Sequence, residues 1–489
     1  MRVLLAYLSD TGIGEIPIGL SIIQACLRQA GHSTCIFDTT FFKQTDIRSI
    51  NENLGVHKPV NLEDYGVSLT YSDIDDEFLS VVKNFNPDLI GFFTTSYNFF
   101  QVLNMIKLIR RNNINTQVIL GGPHTTVAPE ESINYPEIDM LCVGEGEEAI
   151  IELCKKMQVS NRIDNIENIW IKHDGRVYRN QPRPFICMDK VPCPDADSFS
   201  DMHFFKPFSG KVYRMGHIEI SRGCPFSCTY CINAYMRNLY KAKNEGNYHR
   251  EKSIDKAISD IKILVKRHNL EMLRFWDETF LFMKESRLNE FSKRYKKDIN
   301  LPFIISTHPA TINEKRIGIM KDMGCVAISV GIESGNDRIR RALLGRKISN
   351  EQIIRAFDII KSSGIRVTSY NMIGLPFETR KNIFETIDLN RRVKVDTAGP
   401  SFFYPYPGTK LREVCLESNF IDSELKPAEN NVDTILNMPQ IKHKELKGLH
   451  KTFTLYIKSP KWLFPLIKLC ELDNYISNRI FKFLIRRYC

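Results

Sequence analysis

The chain has 489 residues, of which 43% are hydrophobic and 25% are charged, and its formal net charge is +10. This composition is typical of a globular protein with two or three domains and excludes a disordered or fibrous chain. Its basic residues are spread along the sequence, which argues against a nucleic-acid partner. The chain has thirteen cysteines, no run of eighteen apolar residues and a first segment that does not resemble a secretion signal. We therefore expect a cytoplasmic protein.

Residues 1–155 alternate between short apolar segments and amphipathic ones. The segments with strand character are RVLLAYL, HSTCIFD, NPDLIGFFTTS, TQVILGG and IDMLCVGEGE. Helical periodicity follows in PIGLSIIQACLRQAG, NFFQVLNMIKLIRR and EEAIIELCKKM. This alternation predicts an α/β domain with a doubly wound, Rossmann-like parallel sheet.

Small and polar residues follow three of these strands, where ligands of such sheets bind. Glycines at strand ends let the backbone approach a flat ligand closely. The candidate cofactor-binding residues are Thr94, Ser96, Gly121, Gly122, His124, Gly144 and Glu145. Each motif taken alone fits equally well a plain flavodoxin-like domain whose glycines only make turns.

Residues 156–214 are predicted to form a linker. The segment NIENIWIKHDGRVY indicates a hairpin around Asp174 and Gly175. The proline-rich segment QPRPFICMDKVPCPD that follows is typical of an extended chain. We expect Cys187 and Cys193, which lie in this segment, to be structural thiols.

A second series of strands and helices occupies residues 215–425. Its strand segments are HIEIS, EMLRFWD, PFIIST, CVAISVGIES, IRVTSYNMIG and TAGPSFFYP. Six strand–helix units predict a partial (β/α)6 barrel with its site at the carboxyl ends of the strands.

Three cysteines, Cys224, Cys228 and Cys231, follow the first of these strands with C-x3-C-x2-C spacing. Three thiolates can hold three irons of a [4Fe–4S] cluster and leave the fourth iron open to another ligand. Zinc sites more often use paired C-x2-C units, and no second pair lies nearby. The spacing favours the cluster, and the alternatives are buried thiols or a zinc site with a fourth ligand elsewhere.

The triplet resembles the signature of the radical SAM enzymes, which place an aromatic residue, here Tyr230, before the last cysteine. The segments GIESG, GLPFE and FYPYPGT at later strand ends resemble further segments of that family. The resemblance implies that Tyr230, Glu333, Ser334, Gly374 and Pro376 bind S-adenosylmethionine. Glu333 is also a catalytic candidate, and the alternative for it is a structural role in the turn.

Other polar residues of this region have two interpretations each. Asp277 follows the second strand and is either a cofactor-binding residue or a helix N-cap. Tyr404 is either a catalytic residue that assists proton or radical transfer or an aromatic packing residue. Arg338 or Arg341 can pair with a cofactor carboxylate, although exposed helix charge is the more common explanation.

The N-terminal domain resembles the cobalamin-binding domain found in many radical SAM enzymes. The shared segments are P-x-G-L at Pro17–Leu20, GH at Gly31–His32, GGPHTTVAPEE and VGEGEEAI. The D-x-H-x-x-G motif of other cobalamin proteins does not occur in residues 1–155. The resemblance therefore implies cobalamin without that histidine on cobalt, and a bond from His124 is the alternative.

Taken together, the resemblance implies a cobalamin-dependent radical SAM enzyme of the methyltransferase and anaerobic cyclase branch. Its cofactors would be a [4Fe–4S] cluster, S-adenosylmethionine and cobalamin, and cleavage of S-adenosylmethionine would give a 5′-deoxyadenosyl radical. Its partners would be a small-molecule or lipid-like substrate and an electron donor such as flavodoxin or ferredoxin. One alternative is a tRNA methylthiotransferase, which the scattered Cys26, Cys35 and Cys142 make weak. The other is a non-catalytic cobalamin or redox sensor, against which the intact triplet argues.

Residues 426–489 are predicted to be a helical segment. Its last part, KSPKWLFPLIKLCELDNYISNRIFKFLIRRYC, combines bulky apolar residues with repeated lysines and arginines. This pattern fits a peripheral membrane contact or a lid over a lipid-like substrate. The favoured alternative is an amphipathic helix that covers the open side of the barrel, because Pro465 interrupts the pattern.

Overall fold

The structure is a computed structural model, and it describes residues 1–9, 14–43, 60–159, 163–241, 248–424 and 433–489. By its internal contacts the chain divides into two compact units. The first unit comprises Met1–Ile47, Asn61–Ser221 and Tyr235–Leu270, and the second is built on Arg222–Ala234 and Glu271–Cys489.

The first unit contains a sheet with five parallel strands in the order β2-β1-β3-β4-β5. The strands are β1 (Arg2–Tyr7), β2 (Ser33–Asp38), β3 (Leu89–Phe93), β4 (Gln117–Gly121) and β5 (Met140–Cys142). The helices that accompany them are α1 (Ile18–Gln29), α2 (Ile74–Phe85), α3 (Phe99–Arg111), α4 (Pro123–Val127), α5 (Pro129–Ile133) and α6 (Glu147–Val159). Strands β1, β3 and β4 are almost fully buried, as expected for a parallel sheet covered on both faces.

Helix α2 has no counterpart in the predicted elements. It begins at a strong N-cap, because the Asp73 side chain accepts hydrogen bonds from the N–H groups of Asp75 and Asp76. It ends at Asn86, whose φ of 47° lies in the left-handed region. Phe78 and Val82 of this helix are buried, and Ile74, Val81 and Phe85 pack partly buried against the same core.

The predicted hairpin around Asp174 and Gly175 is present as β6 (Ile169–His173) and β7 (Arg176–Arg179). Both turn residues have positive φ, 49° and 72°, as a two-residue type I′ turn requires. The hairpin is not a free-standing connector, because β6 pairs antiparallel with β5 and so extends the first sheet.

The remaining elements of the first unit follow the proline-rich segment. The strands are β8 (Phe205–Phe208), β9 (Lys211–Ile218) and the short β10 (Ser221–Arg222) and β11 (Arg250–Glu251). The helices are α7 (Ile232–Lys241), which begins in the second unit, and α8 (Ile254–His268). Strands β8 and β9 form an antiparallel hairpin.

The second unit contains five parallel strands in the order β16-β15-β14-β13-β12. The strands are β12 (Met272–Phe275), β13 (Phe303–Thr307), β14 (Cys325–Glu333), β15 (Arg366–Ile373) and β16 (Thr397–Phe402). Their helices are α9 (Glu285–Asp298), α10 (Glu314–Met323), α11 (Asn350–Ser362), α12 (Arg380–Val393) and α13 (Lys410–Glu417). Each of these strands lies within a predicted strand segment.

The C-terminal segment is helical, as predicted, and consists of α14 (His443–Lys458), α15 (Phe464–Cys470) and α16 (Tyr475–Tyr488). Helix α14 packs against β16, where His450 Nε2 hydrogen-bonds the Pro400 carbonyl oxygen at 3.1 Å. Among the described helices, none combines the length and the apolar character needed to cross a membrane. The chain is thus an α/β protein with a doubly wound N-terminal sheet, a partial barrel and a helical C-terminal segment.

Candidate functional site

Three loops at the carboxyl ends of β3, β4 and β5 hold the predicted cofactor-binding residues of the first unit. The loops are joined by hydrogen bonds: Thr94 N–H to the Gly121 oxygen at 2.7 Å and His124 N–H to the Thr94 oxygen at 3.2 Å. Gly144 N–H donates to Thr126 Oγ1 at 3.0 Å. The structure therefore brings together residues that are far apart in the sequence and makes one continuous surface of their loops.

Two of the predicted glycines occupy positions that exclude a side chain. Gly122 has a φ of 119°, and a Cβ atom on it would lie 2.4 Å from the Thr94 oxygen. Gly144 has a φ of 97°, and its Cβ atom would lie 2.0 Å from the Tyr240 hydroxyl oxygen. The glycines are needed because the loops pack directly on one another and because their backbone is left-handed.

His124 is a buried residue of the second of these loops. Its Nδ1 atom lies 3.0 Å from Ser96 Oγ, and its ring lies 4.1 Å from the ring of Phe99. Burial lowers the pKa of His124 to about 4, so the imidazole is neutral at pH 7. Its Nε2 atom is buried and has no hydrogen-bond partner within the described residues.

Glu145 is held by residues that the sequence analysis did not select. Arg250 donates to Glu145 Oε1 at 2.6 Å and to Oε2 at 3.2 Å, and Ile186 N–H donates to Oε2 at 3.0 Å. The Tyr240 hydroxyl accepts the Glu145 N–H at 2.8 Å, and its ring stacks on Phe185 at 4.1 Å. The carboxylate of Glu145 is therefore engaged in fixing the loop.

In the second unit the three cysteines lie on one loop between β10 and α7. Gly223 opens the loop with a φ of 88° and donates its N–H to Glu278 Oε1 at 3.3 Å. Thr229 clamps the middle of the loop, because its N–H and Oγ1 donate to the carbonyl oxygens of Leu344 and Leu343 at 3.1 and 2.6 Å. Phe226 stacks on His308 with ring centroids 3.8 Å apart.

Among the described residues none of the three cysteines forms a disulfide; Cys228 is buried, and Cys224 and Cys231 are partly buried. Burial raises the pKa of Cys231 to about 11, and the nearby Cys228 and Cys224 add to the rise. Within the described residues, no three His, Cys, Asp or Glu side chains are grouped closely enough to bind one metal ion. Each cysteine of a [4Fe–4S] cluster binds a different iron, so its thiols stand farther apart than the ligands of one ion. An all-thiol donor set on one clamped loop fits such a cluster.

A buried arginine, Arg346, connects this loop to the end of β14. Its Nη1 atom donates to the Tyr230 hydroxyl at 3.2 Å and lies 3.9 Å from Cys228 Sγ and 3.8 Å from Glu333 Oε1. Its Nη2 atom donates to the Gly331 oxygen at 2.7 Å. The Nε atom is buried without a partner among the described residues, so the guanidinium has an unused donor.

Glu333 ends β14 in an unusual conformation. Its φ is 64°, in the left-handed region that non-glycine residues rarely adopt, and the pairing register with β15 shifts at this point. A Cβ atom on Gly331 would lie 2.3 Å from Glu333 Oε1, so only glycine leaves room for the carboxylate. Backbone strain of this kind is concentrated at functional sites.

In the basic segment after Glu333, Arg338 and Arg341 are both exposed, as the more common explanation in the sequence analysis has them. Arg341 is exposed and lies 3.4 Å from Asp337. Arg340 is fully buried and donates to the Ser334 oxygen at 2.8 Å and to Asp337 Oδ1 at 2.7 Å, so it holds the turn. Arg346 is the member of this segment that lies next to Glu333, and the sequence analysis missed it.

Gly374 and Pro376 lie in the turn after β15 and are buried. The Gly374 and Leu375 N–H groups donate to Glu378 Oε2 at 2.7 and 3.2 Å, so the carboxylate of Glu378 shapes this turn. Burial raises the pKa of Glu378 to about 8. The buried Ser334 side chain accepts the Asn336 N–H at 3.3 Å.

The two residues with open interpretations are both buried. Asp277 does not cap a helix, because α9 begins at Glu285 with Lys284 as its N-cap. Tyr404 lies against Tyr406, with ring centroids 4.8 Å apart and planes inclined by 59°. Its position is compatible with aromatic packing.

Models of two protein families match the chain. The model of the Radical SAM superfamily matches residues 218–389, and that of the B12 binding domain matches residues 7–154. The two matches cover the cysteine loop with its strand ends and the glycine-rich loops of the first unit.

Two similar curated proteins are methyltransferases by name. An uncharacterized methyltransferase of Pyrococcus horikoshii is 28% identical over 424 residues, which cover 86% of this chain and 88% of that protein. The cytidylyl-2-hydroxyethylphosphonate methyltransferase of Streptomyces wedmorensis is 23% identical over 449 residues, which cover 83% and 79% of the two chains.

Two solved structures share the fold at low sequence identity. The cobalamin-dependent S-adenosylmethionine radical enzyme OxsB, with aqua-cobalamin and S-adenosylmethionine bound, matches with a TM-score of 0.66 and 16% identity, over 99% of this chain and 70% of that one. The methyltransferase TsrM of Kitasatospora setae, with cobalamin and a [4Fe–4S] cluster bound, matches with a TM-score of 0.62 and 16% identity, over 85% and 75%. The chain therefore carries a B12 binding domain followed by a radical SAM domain, as the resemblance of its motifs implied.

Proposed function

We propose that this protein is a cobalamin-dependent enzyme that reductively cleaves S-adenosylmethionine and methylates, or otherwise transforms, an unactivated carbon of its substrate. The observation that carries the proposal is the convergence of the cysteine loop and the end of β14 on Arg346. Arg346 Nη1 lies 3.9 Å from Cys228 Sγ and 3.8 Å from Glu333 Oε1, and its buried Nε donor has no partner among the described residues.

The [4Fe–4S] cluster is assigned to Cys224, Cys228 and Cys231. When bound, the cluster supplies the electron for cleavage of S-adenosylmethionine, and cobalamin supplies a carrier for the methyl group. The chain contributes a rigid loop: Thr229 is hydrogen-bonded to the segment that carries Arg346, so the thiols and the guanidinium keep a fixed spacing.

S-adenosylmethionine carries a carboxylate, an amino group, ribose hydroxyls and adenine. Arg346 is permanently cationic and suits the carboxylate, because charge-assisted hydrogen bonds from arginine are strong. Glu333 suits the amino group or the ribose hydroxyls, with Tyr230 and Arg346 orienting its carboxylate. Ser334, Gly374, Pro376 and Asp277 are proposed to complete the binding surface.

Cobalamin is assigned to the loops at the ends of β3, β4 and β5. The proposed binding residues are Thr94, Ser96, Gly121, Gly122, His124, Gly144 and Glu145. Because the His124 ring is fixed between Ser96 and Phe99, its proposed role is to support the loop rather than to bind cobalt. Arg250 and Tyr240 hold Glu145 in place, so Glu145 is proposed to act mainly through its backbone.

Methyl transfer is favoured over cyclisation because the two relatives named methyltransferases match over 79% or more of both chains, whereas a relative named an anaerobic cyclase matches over 72% of this chain and 64% of its own. Tyr404 is proposed as a residue near the substrate, in a packing role. The substrate class is a small molecule, and the electron donor is a reducing protein such as flavodoxin or ferredoxin.

A tRNA methylthiotransferase is less well supported. Such an enzyme carries cysteines for a second cluster in its N-terminal domain, whereas here Cys26 lies on α1, Cys35 on β2 and Cys142 is buried in β5. The described C-terminal residues are helical rather than a β-barrel. A non-catalytic sensor would have no use for the Arg346 and Glu333 arrangement beside the thiols.

The test is anaerobic purification with cobalamin, iron and sulfide, followed by incubation with S-adenosylmethionine and dithionite. We expect formation of 5′-deoxyadenosine, a corrinoid absorbance spectrum in the purified sample and about four irons per chain. Cys228→Ala should lose the iron and the 5′-deoxyadenosine, whereas Cys187→Ala, which removes an exposed thiol outside the loop, should keep both. A wild-type sample that holds a full cluster but forms no 5′-deoxyadenosine would refute the proposal.

A further inference from the structure

One face of helix α16 packs against the second unit, and the other face is exposed to solvent. Ser477, Phe481 and Leu484 are buried on the inner face. Lys451 of α14 fixes this face, because its Nζ atom donates to Asn478 Oδ1 at 2.6 Å and lies 5.1 Å from the centre of the Phe481 ring. A capping box at Asn474 fixes where the helix begins. The outer face is therefore set by the packing.

The outer face carries large apolar side chains. Ile476 is 70% exposed and Phe483 is 65% exposed. They stand seven positions apart, two helical turns, and so lie on the same side of the helix. Tyr475 at the start of the helix is 74% exposed. Scattered single exposures need no explanation, whereas an aligned pair on a fixed helix face indicates a binding surface.

Cations lie next to this apolar pair. At 100° per residue, Arg487 falls in line with Ile476 and Phe483, and Arg479, Lys482 and Arg486 form a row beside them. All four are exposed. Residues 475–489 contain no aspartate or glutamate. The outer face of α16 thus carries an apolar row beside a basic row and no acidic residue.

The elements just before α16 have the same character. Trp462, Leu469 and Leu472 are exposed by 73%, 53% and 45%. Lys461 and Lys468 are exposed in the same stretch. Glu471, one of two acidic residues in 461–489, faces inward, where it receives both hydrogen bonds from Arg380 and one from Tyr456. Inward placement of this carboxylate leaves the surface of the segment predominantly cationic.

We infer that the outer face of α16 docks this protein on an anionic lipid surface. Bulky apolar side chains enter the boundary between headgroups and acyl chains, and flanking lysines and arginines pair with lipid phosphates, which is how interfacial amphipathic helices bind. A second copy of the chain would bring the same cations against themselves, and an acidic protein would leave the exposed isoleucine and phenylalanine without apolar partners. The inference is independent of the proposed catalytic function.

The sequence analysis favoured burial of this segment, with its basic residues in water. In the structure the inner face of α16 is buried in this way, but the apolar residues of the outer face are not covered by any described residue, since they remain largely exposed. Helix α16 therefore has two rows of apolar residues. One row is buried against the protein, and the other is exposed and available to a partner.

The test is flotation of the full-length holoprotein with vesicles of phosphatidylcholine and phosphatidylglycerol, and with phosphatidylcholine alone. We expect binding to the anionic vesicles that weakens as salt is raised, and little binding to the neutral ones. The double variant Ile476→Glu with Phe483→Glu should reduce partitioning at least about tenfold. Val159→Glu, the same type of change at an exposed residue of the first unit, should leave it unchanged.

Each outcome decides the inference. Circular dichroism and 5′-deoxyadenosine formation check that the double variant is folded and that its cluster site is intact. If wild type fails to float with anionic vesicles, or if the double variant floats as well as wild type, the inference is wrong. If the double variant instead changes the oligomeric state without changing flotation, the face contacts a second copy and the lipid assignment is overturned.

Discussion

Replacement of Arg346 by glutamine tests the most specific part of the proposed site. The arginine is buried and donates to the Tyr230 hydroxyl and the Gly331 oxygen, and its Nε donor has no partner among the described residues. Glutamine is shorter and neutral, but it can still donate one hydrogen bond. The change therefore removes the positive charge with the smallest disturbance of the cavity.

The expected magnitude follows from the type of interaction. A hydrogen bond to a charged group contributes about 1.5–3 kcal/mol, and removal of the guanidinium deprives the cofactor carboxylate of such a bond. At 1.4 kcal/mol for each factor of ten, S-adenosylmethionine should bind about 10- to 150-fold more weakly to Arg346→Gln. Arg346→Lys keeps the positive charge but lacks the planar guanidinium. Its affinity for S-adenosylmethionine should therefore fall between those of wild type and Arg346→Gln.

The assay is equilibrium binding of S-adenosylmethionine to the anaerobic, cluster-loaded protein, with iron content and thermal unfolding measured on the same samples. Arg341→Gln is the matched control, because Arg341 lies in the same segment but is exposed and pairs with Asp337 at the surface. It should bind the cofactor like wild type. The reasoning is refuted if Arg346→Gln keeps its cluster and binds S-adenosylmethionine within about twofold of wild type.

Two further predictions concern loops that position the cofactors. Gly122→Ala should lower the free energy of unfolding by about 1–3 kcal/mol and reduce corrinoid retention, because φ is 119° and the new Cβ atom would lie 2.4 Å from the Thr94 oxygen. Gly19→Ala, which faces open space in α1, should not destabilise the protein, and equal losses in the two variants would contradict the argument. Glu378→Gln should change how stability depends on pH. Burial raises the pKa of Glu378 from 4.5 to about 8, so the folded protein keeps a proton that the unfolded chain releases. The free energy of unfolding should then fall as pH rises from 4.5 to 8, by an amount of the order of 4 kcal/mol, and this fall should be absent in the glutamine variant. Urea unfolding at pH 5 and pH 8 measures this change in the free energy of unfolding. An equal change in wild type and in Glu378→Gln would rule out Glu378 as its source.

Much of the fold was predictable because its signals are local. Strands β1, β3 and β4 are continuous apolar runs, as strands buried on both faces must be, and the helices after them show a 3.6-residue period. Helix α2 was not predicted, although Ile74, Phe78, Val82 and Phe85 recur at helical spacing and pack on the core. The hairpin β6–β7 was predicted, but its pairing with β5 was not, since strand pairing between distant segments leaves no local pattern.

The candidate site likewise has residues that a local pattern reveals and residues that only distant contacts bring together. The cysteine triplet was visible because all three residues lie on one loop. Arg346 was not, because it reaches Glu333 only through the turn at Gly345, whose φ is 67° and whose Cβ atom would lie 3.3 Å from the Ser227 oxygen. Sequence reasoning considered Arg338 and Arg341 instead, and the structure places Arg341 in solvent.

The sequence by itself determined the order of the domains, the fold class and the spacing of three thiols on one loop, because periodicity and spacing are properties of neighbouring residues. Only the tertiary structure decided which cation stands beside Glu333, which residues hold Glu145, and that α16 has a second apolar stripe in solvent. These are contacts between segments far apart in the chain, and burial selects them after the elements have formed.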